Sequence, residues 1–209
     1  MYTPPAFRVD RPERLRELIR AHPLATLVTS GPNGLVANLV PFVLVETAEG
    51  DVLRAHMAKS NDQISSLRET AQALVIFQGP EAYITPAWYA TKKEHGKVVP
   101  TWNYVVVQVW GLPQVIDDVD WLRAQIDELT DQQEQRRVDP WAVTDAPASF
   151  ISAQLRGIVG LEIPIARIEG KWKVSQNQPE ANRRGVVRGL EEVAAGDMAQ
   201  MVAERGRGD

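Results

Sequence analysis

The stretch His56-Met57-Ala58-Lys59-Ser60-Asn61-Asp62-Gln63 sets a cation, a hydroxyl and an amide in consecutive positions. It lies between an apolar strand pattern and the start of a helical one. Free N–H groups at a helix start attract anions, and a lysine with a hydroxyl beside them can complete a phosphate site. The ordinary alternative is a capped helix with a solvated lysine. A second group is aromatic: Tyr83, Trp88, Tyr89, Trp102 and Tyr104, from "AYITPAWY" and "VPTWNY". Such rings can stack on a flat heterocycle while Asn103 reads its polar edge, although core and dimer packing use the same residues. A third group is "KWKVSQN" (171–177). As a strand it turns Lys171, Lys173 and Ser175 to one face and Trp172 and Val174 to the other. That cationic face either meets a phosphate or is a solvated edge. Arg183, Arg184 and Arg188 cluster on an expected helix, where Glu191 and Glu192 can pair with them.

Other chemistries lack their residues. The chain has no cysteine, which excludes a disulfide framework, a cysteine zinc site and a thiol nucleophile. Its three histidines, His22, His56 and His95, share no metal-ligand spacing, so no metal is expected. There is no G-x-G-x-x-G, no G-x-x-x-x-G-K and no G-x-S-x-G. No residue stands out as a catalytic acid or base. Net charge is −4, which argues against a generally basic nucleic-acid surface, and no helix-turn-helix pattern is present. No signal-like or membrane-spanning apolar run occurs, so a cytoplasmic location is expected.

The elements that must position these groups are mostly strands. Asp10 and Glu13 form a capping-box pattern before a helix with Leu15, Leu18 and Ile19 on one face. Strands are expected at 24–30, 35–45, 52–58, 73–79, 82–89 and 102–116, with turns at 31–34 and 46–51. Pro41 inside its run suggests an edge, a bulge or a ligand against the backbone. A short helix is expected over 60–69, capped by Asn61 or Ser60 with Ile64 and Leu67 inward. A polar loop follows at 90–97. Helical spacing returns at 118–137 with Leu122, Ile126 and Leu129. A hairpin is expected around Glu169-Gly170, then a polar helical tail. Many short strands with helices added late favour a closed or split barrel over a doubly wound sheet. The simplest organisation is one domain over 1–209, with a helical insertion at about 118–156 and a helical tail at about 178–206.

"MYTPPAF", "HMAKSNDQ", "VIFQGPEAYITPAWY", "VPTWNY" and "LRGIVGLEIPIARIEGKWKVSQN" occur in an order and at intervals that resemble the PaiB family. Its members are described as FMN-binding negative transcriptional regulators. The resemblance runs from Met1 to about Asn177. It implies an FMN-binding split β-barrel, mainly β with added helices (α+β), similar to pyridoxamine phosphate oxidases and flavin reductases. It also implies a homodimer with two flavins at the interface. Under it, His56, Ala58, Lys59, Ser60 and Asn61 hold the FMN phosphate. Asn38, Leu39, Val40 and Pro41 run along the isoalloxazine. Trp102, Asn103, Lys173 and Ser175 are further candidates, from either subunit. Two departures stand out. Asp62 occupies a position that is proline in many relatives, and a carboxylate there repels a phosphate unless it points away or caps the helix. Residues 92–98 enlarge the loop before "VPTWNY". The alternatives are an FMN-dependent oxidoreductase of the pyridoxamine-phosphate-oxidase-like class acting on a small molecule, and a barrel that has lost its cofactor.

Overall fold

A computed structural model describes residues 1–31, 34–70 and 72–205 of the chain. In order these form β1 Arg8–Val9, α1 Pro12–Ala21, β2 Leu24–Gly31, β3 Gly34–Pro41, β4 Val43–Thr47, β5 Gly50–Ala58 and α2 Gln63–Glu69. Then come β6 Ala73–Ile84, α3 Lys92–His95, β7 Thr101–Gly111, β8 Gln114–Ile116, α4 Val119–Glu134 and α5 Ala148–Arg156. β9 Ile158–Pro164, β10 Arg167–Lys173, α6 Glu180–Glu192 and α7 Gly196–Arg205 complete the chain. All pairings resolved between these strands are antiparallel. The class is α+β, mainly β with added helices. None of the described helices is long and apolar enough to cross a membrane.

Contacts divide the chain into two units. The first comprises 1–18, 78–107 and 169–209, the second 19–77 and 108–168. In the first, strands run in the order β1-β10-β7-β6. Val105, Val107, Trp172 and Val174 are buried there with Val186, Leu190, Met198 and Val202 of α6 and α7. Gly185 and Gly189 let α6 lie directly on Trp88. A Cβ at either would come within 2.0 Å of the Trp88 carbonyl or 2.2 Å of its ring. Trp88 is therefore a packing residue.

The second unit holds β6-β2-β3 and a four-stranded sheet, β4-β5-β9-β8. In β2 the buried residues Ala25, Leu27 and Thr29 alternate with less buried ones, the period-two pattern of a half-buried strand. Phe42 and Phe77 meet edge to face in its core. Residues 118–156 contain α4 and α5, which bury Leu122, Ile151 and Leu155 with Val143. Ile126 packs against this cluster only part-buried.

Several boundaries differ from the sequence reading. Asp10 does not cap α1: its carboxylate accepts from Arg8 Nε at 2.9 Å, and the helix begins with Pro12 at its first position. The run 35–45 is two strands. Pro41 has no N–H to continue a ladder, and Phe42 instead donates to the Pro23 carbonyl at 2.9 Å. Residues 73–84 are one strand, and 86–88 form a 3-10 turn whose Ala87 N–H is capped by Thr85 Oγ1 at 3.2 Å. The polar loop at 90–97 contains a single helical turn closed by Gly96 at φ 65°. Leu112-Pro113 separates β7 from β8. The hairpin expected at Glu169-Gly170 is absent. The chain turns at Ile165-Ala166, and β9 and β10 belong to different sheets. Gly170 lies inside β10 opposite Val9, where a Cβ would approach Leu15 Cδ2 to 2.3 Å. Close packing demands that glycine. Of the turn expected at 31–34, residues 32 and 33 lie outside the described residues, as does position 206 of the tail.

Candidate functional site

A groove of about 750 Å³ runs over the end of β5, the start of α2 and the beginning of β3. Lys59, Ser60, Asn61, Ser65, Arg68 and Asp62 supply its polar wall. The volume falls in the usual range for small-molecule sites, roughly 300–1,000 Å³. Three of the expected phosphate residues, Lys59, Ser60 and Asn61, therefore come together. Ala58 precedes them at the strand end. His56 turns elsewhere: its Nδ1 lies 2.7 Å from Oε1 of Gln125, a fully buried residue of α4.

The geometry is held by a residue that periodicity gives no reason to notice. Gln63 is fully buried. Its Nε2 donates toward the Leu27 carbonyl, Thr29 Oγ1 and the Val36 carbonyl at 3.1–3.2 Å. Its Oε1 accepts from Asn38 Nδ2 at 2.8 Å. One side chain thus ties the start of α2 to both β2 and β3. The expected cap is present, since Asn61 Oδ1 accepts the Gln63 N–H at 2.9 Å. Leu67 is buried as expected, but Ile64 is only half-buried and lines the groove. Ser66 is the further buried member of the helix.

The electrostatics are balanced. Lys59 Nζ donates to Asp117 Oδ1 at 2.8 Å in an exposed pair, the kind that contributes little stability and exchanges easily. Asp62 lines the groove and makes no side-chain cap bond, while Glu69 lines the same wall as Arg68. Arg68 was missed in the sequence. Three residues beyond Ser65 and four beyond Ile64, it shares their face of α2.

β3 ends its sheet, so part of its backbone donors and acceptors point away from β2. Of the residues expected along the isoalloxazine, Asn38 is tied to Gln63, Val40 is buried, and Pro41 closes the strand. Leu39 is 66% exposed and Leu35 is 80% exposed. The strand thus offers free backbone and apolar side chains together.

The other candidates lie in the first unit. Trp102 is half exposed and meets Tyr83 edge to face, with centroids 5.9 Å apart. Asn103 is buried, its Nδ2 donating to Ser175 Oγ at 2.9 Å. Lys173 Nζ donates to the Trp102 carbonyl at 2.8 Å and to Thr101 Oγ1. Burial lowers its pKa from the ordinary 10.5; Tyr104 opposes the shift and Lys171 adds to it. Asn103, Lys173 and Ser175 share one small pocket.

FMN fits the groove and the neighbouring strand edge. Lys59 and Arg68 can meet an anion, Ser60 and Asn61 can donate, and β3 presents backbone to polar ring edges, while Ser65 Oγ already donates to the Asp62 carbonyl at 2.8 Å. When bound, FMN supplies one- and two-electron redox chemistry. The residues of this chain would bind and orient it. Among the described residues no cluster of histidine and carboxylate could hold a metal.

Known proteins resemble this chain in sequence and in fold. Residues 1–167 match the family model "Putative FMN-binding domain". An uncharacterized protein of Emericella nidulans is 38% identical over 231 aligned positions, covering 92% of each chain. The protease synthase and sporulation protein PAI 2 of Bacillus subtilis is 27% identical over 98% of each chain. Among solved structures, an FAD and heme binding protein from Mycobacterium smegmatis superimposes with a TM-score of 0.61. The two are 23% identical over 79% of this chain and 73% of that one. The split-barrel fold expected from the sequence stands. The chain belongs to the PaiB-like FMN-binding family, and its cofactor is FMN.

Proposed function

We propose that the chain is an FMN-binding negative transcriptional regulator of the PaiB type, working in the cytoplasm as a homodimer. Lys59, Ser60 and Asn61 hold the FMN phosphate, and the isoalloxazine lies along Asn38, Leu39, Val40 and Pro41. The observation that carries this reading is the groove wall. It sets the Lys59 and Arg68 cations beside the Ser60 hydroxyl and the Asn61 amide, a set of donors that suits a phosphate. The similarity to the Bacillus subtilis protease synthase and sporulation protein PAI 2 along nearly its whole length supports the PaiB-type assignment. Exposed Leu35 and Leu39 on an edge strand suit a subunit contact that covers the flavin. With a net charge of −4, the chain presents no general field to DNA, so regulation would act without broad backbone contacts.

An absorbance spectrum of purified protein tests the cofactor site: bound flavin bands and a Tm raised by added FMN are expected. Saturating FMN that neither binds nor shifts the Tm would remove this site. Light scattering at micromolar concentration is expected to give a dimer mass, and a monomer mass would be the contrary result. A second reading is an FMN-dependent oxidoreductase, favoured by the small polar pocket at Lys173, which suits a substrate group. NAD(P)H oxidation with FMN, measured beside DNA retention across salt concentrations, divides the two. Turnover without salt-sensitive retention selects the oxidoreductase.

A further inference from the structure

Lys171 and Lys173 lie two residues apart on one face of β10, and among the described residues no carboxylate pairs with either. Lys171 is buried, with Nζ donating to the Tyr2 carbonyl at 3.1 Å and lying 5.1 Å from the centre of the Tyr104 ring. Lys173 is half-buried and uses two of its three donors on Thr101 Oγ1 and the Trp102 carbonyl. Both acceptors are neutral. Buried cations are ordinarily paired, so two adjacent lysines without an acid leave positive charge uncompensated. Elsewhere Lys59, Arg54 and Arg184 each have a carboxylate.

The charge faces a cavity. A pocket of about 180 Å³ is lined by Tyr89, Thr101, Asn103, Lys173, Ser175 and Gln178, among others. It is several times the ~30 Å³ that a water occupies in the liquid, yet smaller than a site for a drug-sized ligand. Its backbone is unusual at one point: Ser175 sits at φ 61°, a region most side chains avoid. That conformation sets the Ser175 hydroxyl against the Asn103 amide. Strained backbone of this kind persists where the surrounding structure over-determines it, often at ligand sites.

The geometry points to a binding site for one small oxyanion, of carboxylate or phosphate type, held by Lys173 with help from Ser175. This site does not depend on the flavin groove. Its ligand is a free small anion, separate from the FMN phosphate proposed at Lys59, Ser60 and Asn61. The protonated lysine supplies charge and its remaining N–H, while the Ser175 hydroxyl, which donates to Asn103 Oδ1 at 3.3 Å, exchanges that long bond for one to the anion.

Titration calorimetry of the full chain with inorganic phosphate, and separately with acetate, tests the site at an ionic strength held constant with chloride. Binding is expected for the wild type and Lys92→Ala, and at least about tenfold weaker binding for Lys173→Met. Ser175→Gly suits the φ of 61° and keeps the fold while removing the hydroxyl, so it is expected to weaken binding by a smaller factor. Absence of heat in the wild type, or one affinity shared by wild type, Lys173→Met and Ser175→Gly, overturns the assignment. Should Lys173→Met fail to fold, an unchanged affinity in Ser175→Gly and Thr101→Val does the same. Titrating FMN-saturated protein is expected to leave phosphate binding unchanged. Competition by FMN, with Lys173→Met weakening FMN but not riboflavin, overturns the assignment of a site separate from the cofactor's.

Discussion

The groove at α2 and the pocket at β10 both present lysine, serine and asparagine, yet they handle charge in opposite ways. In the groove, Lys59 is already paired with Asp117, and Asp62 and Glu69 share the wall with Arg68. In the pocket, Lys173 leans on neutral oxygens and has a lysine for a neighbour. The groove is about four times larger. A roomy, charge-balanced surface gains affinity from shape, backbone contacts and apolar area. A small pocket with surplus charge gains it from electrostatics at short range, where there is less water to screen. On the readings proposed above, the same residue types would serve a large amphipathic ligand in one place and a compact anion in the other.

The largest effect should come from breaking the groove at its buried support. Gln63→Leu strands the Asn38 amide and loses the links to Leu27, Thr29 and Val36, which should cost about 3 kcal/mol by denaturant melting. The groove should lose FMN affinity along with it. A stability within the error of wild type would show that the hydrogen bonds around Gln63 do not set the groove. Next in size is Lys59→Ala, expected to weaken FMN about tenfold, against no change in Lys92→Ala. Stability should hardly move, since the pair with Asp117 is exposed. Equal FMN affinities in the two variants would take Lys59 out of the phosphate site. Asp62→Asn should act oppositely and tighten FMN about threefold by removing a repulsion from the wall. A weaker complex would mean that Asp62 helps to hold the ligand.

The smallest effect is a pH dependence that sharpens the contrast. Lys173 has a lowered folded pKa, mainly through burial, so the unfolded chain holds its proton more tightly. Its contribution to stability is present above the unfolded value of about 10.5 and is lost as pH falls through the lower folded one. The groups facing it are the Thr101 hydroxyl, the Trp102 carbonyl, Tyr104 and Lys171. Tyr89 has the opposite sign. Burial raises its pKa, so its contribution is whole below 10.0 and lost as pH rises through the folded value. Melting curves from pH 8 to 10 should rise slightly in wild type relative to Lys173→Met. Parallel curves would mean that the ammonium is no less comfortable folded than unfolded. Above pH 10, Tyr89→Phe should flatten the fall.

Much of this was legible beforehand because it depends on neighbours in sequence. Alternation marked most strands, spacing marked α1 and α4, and the string from Lys59 to Asn61 marked the groove. Pro41 was correctly suspicious: a residue without an N–H ends a ladder wherever it sits. Where the reading failed, long-range packing had decided. Glu169-Gly170 looks like a hairpin turn, yet Gly170 is needed because Leu15 leaves no room for a Cβ. Ile64 and Leu67 read as the inward residues of α2; Leu67 is buried, but Gln63 is buried where Ile64 is not, because strand carbonyls and a threonine hydroxyl surround it.

By itself the sequence determined the class of elements, the absence of cysteine chemistry, and the family through a series of short strings. It could not show which charges are paired. Lys59 and Asp117 are 58 positions apart, and only the fold brings them within 2.8 Å. It could not show that Lys171 and Lys173 are covered rather than solvated, because strand alternation says which residues share a face and not what lies over that face. Pairing and desolvation are properties of three-dimensional neighbours. They decide whether a lysine is a solvated charge, a partner in a salt bridge or a cation awaiting an anion.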